Sequence, residues 1–537
     1  MRLARLMQPR LDQPLPLWMI FPVIFAALYA SHFTLLRLPY YWDEAGYYIP
    51  AAWDFFRTGS LIPVTTLTNA HPPLPSVYLA LWWKASGFLP EVTREAVLMV
   101  AALALLAVWR LAMRVQGSPI VAFWTVSLTA IYPVWFAQST LAHGDIFAAA
   151  CTLWGLVYSL PERDRKPWAA AAWFAAAALS KETAVTIPLT LALVSLGAGF
   201  RVRPPARPRL FREAAWLAAS ALPLAAWYGY HRAKTGFVFG NPEFVRYNAE
   251  ATLDPVRILA AFGHRLLHLT GHMNLFVPVL MTFAALLLKP RLDAEEHERG
   301  GVSRPVWHKI LVLLLVNALE FSVLGGALLT RYLLPMYPLV LLVAVATFYR
   351  RVPYWQGLAL FSAGAFLVGL FINPPYRFAP EDNLEYARVI RLHMAGIAQL
   401  NAHFRGATVL SAWPVTDELS RPELGYVKEP YAVYRLDDFT APQIARAAEE
   451  PEKFSAGLVF STKYDPPTIG LSLGPKSEAM DEHYFGLHHD LMPEAIASAL
   501  HGNLAWKTED QGQWIALIGF SRQFEARVET GTTHPAN

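Results

Sequence analysis

The sequence has 537 residues, of which 55% are hydrophobic and only 16% are charged, and its mean hydropathy is +0.30. Soluble domains carry about 25% charged residues, so this composition indicates a membrane protein. The formal charge of +4 and the lack of Lys/Arg tracts interleaved with aromatic residues argue against a nucleic-acid partner. A single cysteine, Cys151, excludes an intramolecular disulfide and a thiolate zinc site.

About eleven apolar segments are predicted to cross the membrane as helices, since a span needs roughly 20 apolar residues. The first follows a basic N-terminus and is longer than the core of a cleaved signal peptide (about 7–15 residues), so we expect an uncleaved anchor. The predicted spans are 15–36, 96–113, 119–141, 146–160, 167–180, 183–200, 214–230, 275–288, 306–329, 332–349 and 354–372.

The distribution of basic residues predicts which side of the membrane each loop occupies. With a cytoplasmic N-terminus, the inside loops hold 20 of the 31 Lys and Arg residues that precede Tyr354. The prediction is a multi-pass protein of the cell inner membrane with its site and C-terminal region on the periplasmic face. The segments placed outside are 37–95, the loop around His143, Lys181-Glu182, 231–273 and everything after the last span.

Beyond the last predicted span, the chain becomes polar and Pro-rich in INPPYRFAPEDN, residues 372–383. The segments 407–412, 457–461 and 513–520 have the pattern of short buried strands, and 385–400 that of an amphipathic helix. We therefore expect a membrane module over residues 1–375 and an extracytoplasmic α/β domain over residues 376–537.

The first outer loop, residues 37–95, is long enough to be functional and contains YWDEAGYYIP. Its aromatic residues, Tyr47 among them, suit helices that lie at the membrane interface. The adjacent acids Asp43 and Glu44 are compatible with capping of a helix. Capping needs only one acid, so the pair favours a chemical role.

Two histidines belong to the segments predicted on the outer face. His71 precedes two prolines that open the second interfacial helix, and on its own it is compatible with a structural role. His143 lies two residues before Asp145 in TLAHGD, where Asp145 also suits the start of a helix. From the residues alone the structural interpretation is favoured for each motif, and the functional one stays open.

Two further motifs interrupt apolar stretches with charge. Lys181 and Glu182 in ALSKET form either a surface turn or a functional pair. A charge at membrane depth is unfavourable and is usually paired or functional. Arg331 begins a span in TRYLLPMYP, next to Tyr332. It either reaches lipid headgroups or holds a phosphate through its planar guanidinium.

His264, His268 and His272 recur every four residues and therefore share one helix face. That spacing suits a metal or a phosphate, but a polar stripe on an interfacial helix is the favoured interpretation. All the polar motifs fall on the same predicted side of the membrane. Their co-location indicates one outward-facing site for an anionic, lipid-linked ligand.

In this order, the motifs WDEAGYY, HPPL, AHGD, LSKET and TRYLLPMYP resemble those of bacterial GT-C glycosyltransferases. The resemblance covers about residues 10–350 and is strongest to the protein O-mannosyltransferases and the lipid A aminoarabinose and galacturonic acid transferases. It implies a polytopic helical GT-C fold with a C-terminal α/β domain. It also implies an inverting glycosyltransferase that moves a hexose or pentose from a polyprenyl-phosphate donor to a hydroxyl of a glycolipid, glycan or protein.

By this resemblance, Asp43 is the general base on the acceptor, with Glu44 beside it. The implied contacts of the donor phosphate are Arg331, Lys181, His71 and Tyr332, and the implied further pocket residues are His143, Asp145, Glu182 and Tyr47. Some relatives bind a divalent metal near a histidine that precedes a late span, which His272 matches. The chain has Ala70-His71-Pro72 where the lipid A transferases carry Glu-Lys-Pro, and His71 is expected to replace the phosphate-binding lysine.

Two other classes of function remain to be weighed against transfer. A transporter or flippase of lipid-linked saccharides needs charged residues on both sides of the bilayer, whereas the predicted polar groups are one-sided. A membrane anchor that only displays the C-terminal domain does not need about eleven spans.

Overall fold

The computed structural model describes residues 16–250, 252–293, 296–464 and 475–520, with only the backbone of residues 475 and 477. The basic residues of the predicted cytoplasmic N-terminus, Arg2, Arg5 and Arg10, lie outside this part of the chain. Residue 15 of the first predicted span and the last residues of the predicted C-terminal domain lie outside it as well.

Up to Phe371 the described chain is helical, with short connections. The α-helices are α1 (Leu17–His32), α2 (Ile49–Thr58), α3 (Leu74–Ser86), α4 (Pro90–Val115), α5 (Pro119–Ile131), α6 (Pro133–Gln138), α7 (Gly144–Ser159), α8 (Pro167–Ala178), α9 (Thr186–Arg201), α10 (Ala206–Ala219), α11 (Leu222–Thr235), α12 (Pro242–Val245), α13 (Pro255–Thr270), α14 (Phe276–Leu286), α15 (Arg304–Val323), α16 (Tyr337–Arg351) and α17 (Gln356–Phe371). Two π-helical turns, Glu44–Tyr48 and Arg246–Glu250, precede or follow these helices directly. Short 3₁₀ turns are Phe33–Leu35, Glu182–Val185, His272–Asn274, Thr330–Leu333, Pro380–Asp382, Pro422–Leu424 and Pro451–Lys453.

Within the described residues, four helical segments are long and apolar enough to cross a membrane: Leu17–Leu35, Pro90–Val115, Glu182–Arg201 and Arg304–Val323. A fifth is formed if Pro255–Asn274 and Phe276–Leu286, which meet at a bend of 100°, count as one broken span. The predicted number of about eleven spans is therefore not confirmed and stays a prediction.

Proline explains why some predicted spans form two shorter helices. The predicted span 119–141 divides at Tyr132, where α5 ends and Pro133 begins α6. The predicted span 214–230 divides between α10 and α11, with Pro223 in the first turn of α11. Proline lacks the N–H of an interior helical residue and disfavours helical backbone in the residue before it, so each break is local.

Many helices expose large apolar side chains on one face. Trp18, Leu193, Leu280 and Leu360 are each more than half exposed, as are several of their neighbours on the same helices. Soluble monomers rarely expose contiguous apolar faces of this kind, which mark membrane or protein contacts. Charged side chains such as Arg94, Arg265 and Glu44 are instead fully buried inside the helical bundle.

The C-terminal part carries one mixed sheet with helices packed around it. Its strands are β1 (Thr408–Ala412), β2 (Ala432–Leu436), β3 (Ala456–Phe460), β4 (Asn503–Asp510) and β5 (Gln513–Gly519), and its helices are α18 (Glu385–His403), α19 (Val415–Ser420), α20 (Ala441–Ala448), α21 (Pro475–Phe485) and α22 (Pro493–Ala499). The strand order is β2-β1-β3-β5-β4; β2 and β3 run parallel to β1, whereas β5 is antiparallel to both β3 and β4.

The predicted strands and helix of this region match β1, β3, β5 and α18. Strands β2 and β4 were not predicted; most of their residues are partly or fully exposed, and β4 is mostly polar. The boundary between the two predicted domains stays a prediction, although the sheet has its own hydrophobic cluster around Leu410, Leu458 and Ile515.

The end of strand β1 packs against the acidic motif of the first outer loop. Trp413 lies edge-on to Trp42, with ring centroids 4.9 Å apart. A Cβ on Gly46 would lie only 2.9 Å from the indole of Trp413, so only glycine fits there without displacement. This contact joins the C-terminal sheet to the segment that carries Asp43.

Candidate active site

Asp43 stands at the start of a π-helical turn, Glu44–Tyr48, that continues directly into α2. Such turns are rare and occur frequently at functional sites. The residue before it, Trp42, has a positive φ of 45°, a conformation that is unfavourable for a bulky side chain. Asp43 keeps 35% of its side chain exposed, which makes it the most accessible carboxylate in its cluster.

Arg331 is the centre of that cluster and contacts three carboxylates. Its Nη2 donates to Asp43, its Nη1 lies 2.6 Å from Glu381, and its Nε lies 3.4 Å from Asp145. The arginine side chain is only 4% exposed. A buried guanidinium in this position is compensated by acids from the segment 37–95, from the start of α7 and from the segment after α17.

Lys181 completes the cluster by donating to Asp145. Its ammonium group also lies 3.9 Å from the centre of the Tyr332 ring, in a cation–π contact. Asp145 therefore connects the two cations, because its second oxygen faces Arg331. The motifs AHGD, LSKET and TRYLLP, which are far apart in sequence, meet here through direct contacts.

His71 and Glu182 form a separate pair at the edge of the cluster. The two side chains are 3.1 Å apart and remain partly exposed. The imidazole of His71 stacks on Tyr48 and lies edge-on to Tyr47, with ring centroids 5.8 Å and 5.1 Å apart. The structure thus places His71 next to the cluster, although it makes no direct hydrogen bond with Arg331 among the described residues.

His143 is fully buried between these groups. Its Nδ1 bonds to Gln138 at 2.9 Å, whereas its Nε2 makes no hydrogen bond with a described residue. Burial lowers the pKa of His143 well below its ordinary value, and the charges of Arg331 and Lys181 act in the same direction. The imidazole is therefore neutral at physiological pH and cannot supply positive charge to a phosphate.

A cavity of ≈20 Å³ lies between the buried members of the cluster, bounded by Asp145, Lys181, Arg331, Tyr332 and Asn317. That volume is about what one water molecule needs. A ligand larger than a water molecule therefore requires these side chains to separate. The ion pairs that close the cavity are the same ones that occupy Arg331 and Lys181.

Glu44 does not share the position of Asp43, and its contacts favour a structural role over the catalytic one that the resemblance implied. It is fully buried and faces Arg94, with nitrogen–oxygen distances of 3.1 and 3.3 Å. It also accepts from the backbone N–H groups of Tyr41 and Ala142. With both oxygens engaged and no access to solvent, Glu44 holds the loop in place and cannot meet an acceptor hydroxyl.

Glu381 and Asp382 were missed as site residues. Glu381 contacts Arg331, and Asp382 accepts from Thr330 and from His272. The signal that could have revealed them is a second adjacent acid pair, in the polar stretch that follows the last predicted span. Burial raises the pKa of Glu381 to about 8, with Arg331 opposing and the neighbouring carboxylates adding to the rise.

The arrangement around His272 does not fit the expected metal site. Its Nε2 lies 2.9 Å from Asp382, and its Nδ1 lies 3.1 Å from the hydroxyl of Tyr376, so a metal would have to displace the Tyr376 hydroxyl to reach Nδ1. The described residues contain no group of three or more His, Cys, Asp or Glu side chains that could hold a metal ion. His268 contacts the His272 ring at 5.4 Å, as expected for a polar stripe.

Positive φ angles outside glycine flank three of the residues discussed. Besides Trp42, they occur at Ala70, which precedes His71, and at Met273, which follows His272. Such backbone strain clusters at functional sites because the surrounding structure must hold it in place.

No protein-family model matches the chain, and no curated protein matches it. Among solved structures, the chain is similar to the crystal structure of ArnT from Cupriavidus metallidurans in the apo state. The TM-score is 0.52 at 13% sequence identity, over 94% of this chain and 98% of that chain. The crystal structure of the same protein bound to undecaprenyl phosphate gives a TM-score of 0.53 at 13% identity, over 93% and 97%. This chain has the ArnT fold.

The likeness to ArnT spans almost the whole length of both chains, so it includes the helical part and the C-terminal sheet. The resemblance inferred from the motifs is thereby confirmed at the level of the fold, because ArnT is a lipid A aminoarabinose transferase of the GT-C type. At 13% identity, the ArnT structures establish architecture only, and the chemistry is argued below from the residues.

Proposed function

We propose that this protein is an inverting glycosyltransferase that moves a sugar from a polyprenyl-phosphate donor to an acceptor hydroxyl at the outer face of the inner membrane. The observation that carries the proposal is the contact between the accessible carboxylate of Asp43 and the buried guanidinium of Arg331. The donor class is supported by the ArnT fold, since ArnT has been crystallised with undecaprenyl phosphate.

Asp43 is the residue that we assign as the general base. Its side chain is 35% exposed, against 2% for Asp145, 4% for Glu381 and 0% for Glu44. The proton of the acceptor hydroxyl passes to this carboxylate while the oxygen attacks the anomeric carbon. The bond from that carbon to the phosphate oxygen breaks, and the electron pair leaves with the phosphate. Such assistance contributes about 10²–10⁴-fold to a rate, and attack from the face opposite the phosphate inverts the anomeric centre.

Arg331 and Lys181 are assigned to the donor phosphate. A planar guanidinium binds phosphate oxygens in pairs, and an ammonium group adds a second positive charge. In the described arrangement, both cations are engaged by Asp43, Asp145 and Glu381. The donor phosphate therefore takes the place of carboxylates on Arg331, which separates the side chains around the small cavity and releases Asp43 toward the acceptor.

His71 and Tyr332 are assigned supporting roles at the same phosphate. Tyr332 packs against the ammonium group of Lys181 and so orients it. His71 is held by Glu182 and stacks on Tyr48, at the side of the cluster that remains partly exposed. No step of the proposed reaction passes through a metal, since the surroundings of His272 do not fit one.

The proposal includes a multi-pass protein whose site and C-terminal α/β domain, residues 376–537, face the periplasm. The contact between Trp413 and the segment of Asp43 supports a role for this domain beside the site. The proposed acceptor is a glycolipid, a glycan or a protein that reaches the outer face of the membrane.

The deciding experiment uses the purified full-length protein in liposomes with a panel of undecaprenyl-phosphate-linked sugars and extracted envelope glycolipids. We expect acceptor-dependent release of undecaprenyl phosphate together with a glycosylated product, both detected by mass spectrometry. Movement of the donor between leaflets without any release would instead favour the transporter alternative. Failure to release undecaprenyl phosphate with every donor and acceptor would contradict the proposed activity.

A further inference from the structure

A second polar cavity lies in the C-terminal part of the chain, among residues that play no part in the proposed reaction. Its volume is ≈110 Å³, several times the about 10–15 Å³ that one water molecule requires. The polar residues that line it include Arg377, Thr462, Lys463, His488, His489 and Asp490. The cavity is thus large enough for a small polar group and is rich in basic side chains.

The cavity lies at the carboxyl end of strand β3. Ser461, Thr462 and Lys463, which line it, directly follow β3. Trp514, which also lines it, stands at the start of β5, the antiparallel neighbour of β3. The cavity is therefore bounded by the adjoining ends of two central strands of the sheet.

Lys463 has a positive charge that its hydrogen-bond partners do not neutralise. Its Nζ donates to the backbone oxygen of Gly486 at 2.9 Å and lies 3.0 Å from Nδ1 of His488. Both acceptors are uncharged. Burial lowers the pKa of Lys463 from its ordinary value, although the carboxylates of Asp490 and Asp438 oppose that change from a distance.

Asp490, the acid that lines the cavity, is already bound by other donors, and Arg377 lies 4.0 Å from Glu478 in a partly exposed pair. Asp490 accepts from the backbone N–H of Phe439 at 3.0 Å and from the hydroxyl of Thr462. His488 has a buried Nε2 that makes no hydrogen bond with a described residue, and the nearest oxygen of Asp490 lies 3.7 Å away. Among the described residues, the cavity therefore combines an acid already bound by other donors with one buried donor, Nε2 of His488, that makes no hydrogen bond, and such a donor suits an anionic oxygen ligand.

We propose that this cavity binds a phosphate group, carried by a lipid headgroup or free in solution, through Lys463, Arg377 and His488. Phosphate presents several negatively charged oxygens to these donors, and hydrogen bonds between charged partners are about twice as strong as neutral ones. The assignment is independent of glycosyl transfer, because it rests on the cavity at the end of β3 and on the charged residues that line it.

The segment that joins the last membrane helix to the C-terminal part connects this cavity with the cluster around Arg331. Arg377 lines the cavity, and Phe378 packs against Tyr464 with ring centroids 4.9 Å apart. Three residues further on, Glu381 contacts Arg331. A phosphate that binds Arg377 therefore acts on the same short segment that holds a carboxylate against Arg331.

The test measures binding to the purified full-length protein by calorimetry. The probes are inorganic phosphate, dioctanoyl phosphatidic acid as a headgroup phosphate, and dioctanoylglycerol as its uncharged counterpart. We expect saturable binding of a phosphate probe, weakened about tenfold in Lys463→Gln, which corresponds to about 1.4 kcal/mol. Tighter binding of phosphatidic acid identifies a lipid headgroup as the source, and tighter binding of inorganic phosphate identifies free phosphate.

Lys453→Gln is the matched control, because this exposed lysine pairs with Glu450 on the surface and is not among the residues that line the cavity. Arg377→Gln is a second variant in case Lys463→Gln lowers the melting temperature without ligand. Wild-type affinity in both cavity variants, or no phosphate binding by the wild type, would overturn the proposal. Because binding is measured without turnover, either result leaves the proposed glycosyl transfer to its own test.

Discussion

Asp43 and Arg331 are 288 positions apart in the sequence and form a direct ion pair, while the same guanidinium contacts Glu381 and Asp145. One accessible carboxylate is thus held beside one buried cation that contacts three acidic side chains, of which Glu381 is largely protonated below about pH 8. In this arrangement, the proposed base and the proposed phosphate-binding group are already in contact before a donor binds. It also makes the role of each partner separable by substitution.

The first prediction concerns Asp43→Asn, which keeps the size of the side chain and removes its negative charge. We expect transfer to fall by about 10²–10⁴-fold, because the acceptor proton loses its base. Release of undecaprenyl phosphate from a sugar-linked donor is the measurement. Glu91→Gln, a partly exposed acid that pairs with Arg37, is the control and should retain full activity. Transfer by Asp43→Asn at the wild-type rate would exclude Asp43 as the base.

The second prediction concerns Arg331→Lys, which keeps a positive charge and loses the planar fork. We expect at least tenfold weaker binding of undecaprenyl phosphate, because an ammonium group cannot hold two phosphate oxygens in the same geometry. Arg350→Lys is the control, since Arg350 is more exposed and pairs with Glu298 outside the cluster. Equal affinities of Arg331→Lys and the wild type, measured in detergent solution, would argue that the phosphate binds elsewhere.

The third prediction concerns pH and Glu381, whose pKa is raised to about 8 by burial. A carboxyl group whose pKa is higher in the folded than in the unfolded protein stabilises the fold at low pH. That contribution is lost progressively as the pH rises from the ordinary glutamate pKa of 4.5 to about 8. We therefore expect the melting temperature of the wild type to fall across this range, and Glu381→Gln to show a smaller fall.

Binding of undecaprenyl phosphate provides a second readout for Glu381. Above pH 8 the ionised carboxylate competes with phosphate for Arg331, so affinity should decline in the wild type and stay level in Glu381→Gln. Glu91→Gln serves again as the control and should follow the wild type. Identical pH profiles for all three proteins would show that Glu381 does not compete for Arg331.

The fourth prediction concerns the buried pair of Glu44 and Arg94. Arg94 also donates to the backbone oxygens of Leu38, Pro39 and Thr140, so it holds the acidic loop against the start of α7. Arg94→Met leaves an unpaired buried carboxylate and should destabilise the protein by about 3–5 kcal/mol.

The double variant Glu44→Gln/Arg94→Met should recover part of that loss, because it no longer buries an isolated charge. Thermal unfolding of the two single variants and the double variant gives the coupling energy. Strictly additive effects would contradict a direct interaction between Glu44 and Arg94.

Much of the architecture was predictable from patterns along the chain. Apolar segments of the right length predicted where most helices of the membrane part lie, and short runs of apolar residues predicted β1, β3 and β5. Strand β4 has few apolar residues, so its sequence pattern does not predict a strand. It is extended because it pairs with β5. The number of helices that cross the membrane depends on breaks at residues such as Tyr132, which hydropathy averaged over a window does not detect.

For the candidate site, the motifs around Asp43, Asp145, Lys181 and Arg331 were found because charge in an apolar surrounding is conspicuous. Glu381 was overlooked because it lies in a polar segment, where an acidic residue is ordinarily a surface residue. The metal expectation at His272 came from a matching position alone. Its partners, Asp382 and Tyr376, occupy both nitrogens, and they lie more than 100 positions later in the chain.

Local composition was enough to predict a helical, apolar protein with isolated charged residues between hydrophobic segments. This is so because hydropathy and helical period are properties of neighbouring residues. Tertiary packing alone decided that Asp43 is accessible while the adjacent Glu44 is buried against Arg94. It also decided that Arg331 is shared by three acids. The reason is physical: burial and ion pairing depend on groups that are distant in sequence, and no local pattern specifies which of two neighbouring carboxylates will face them.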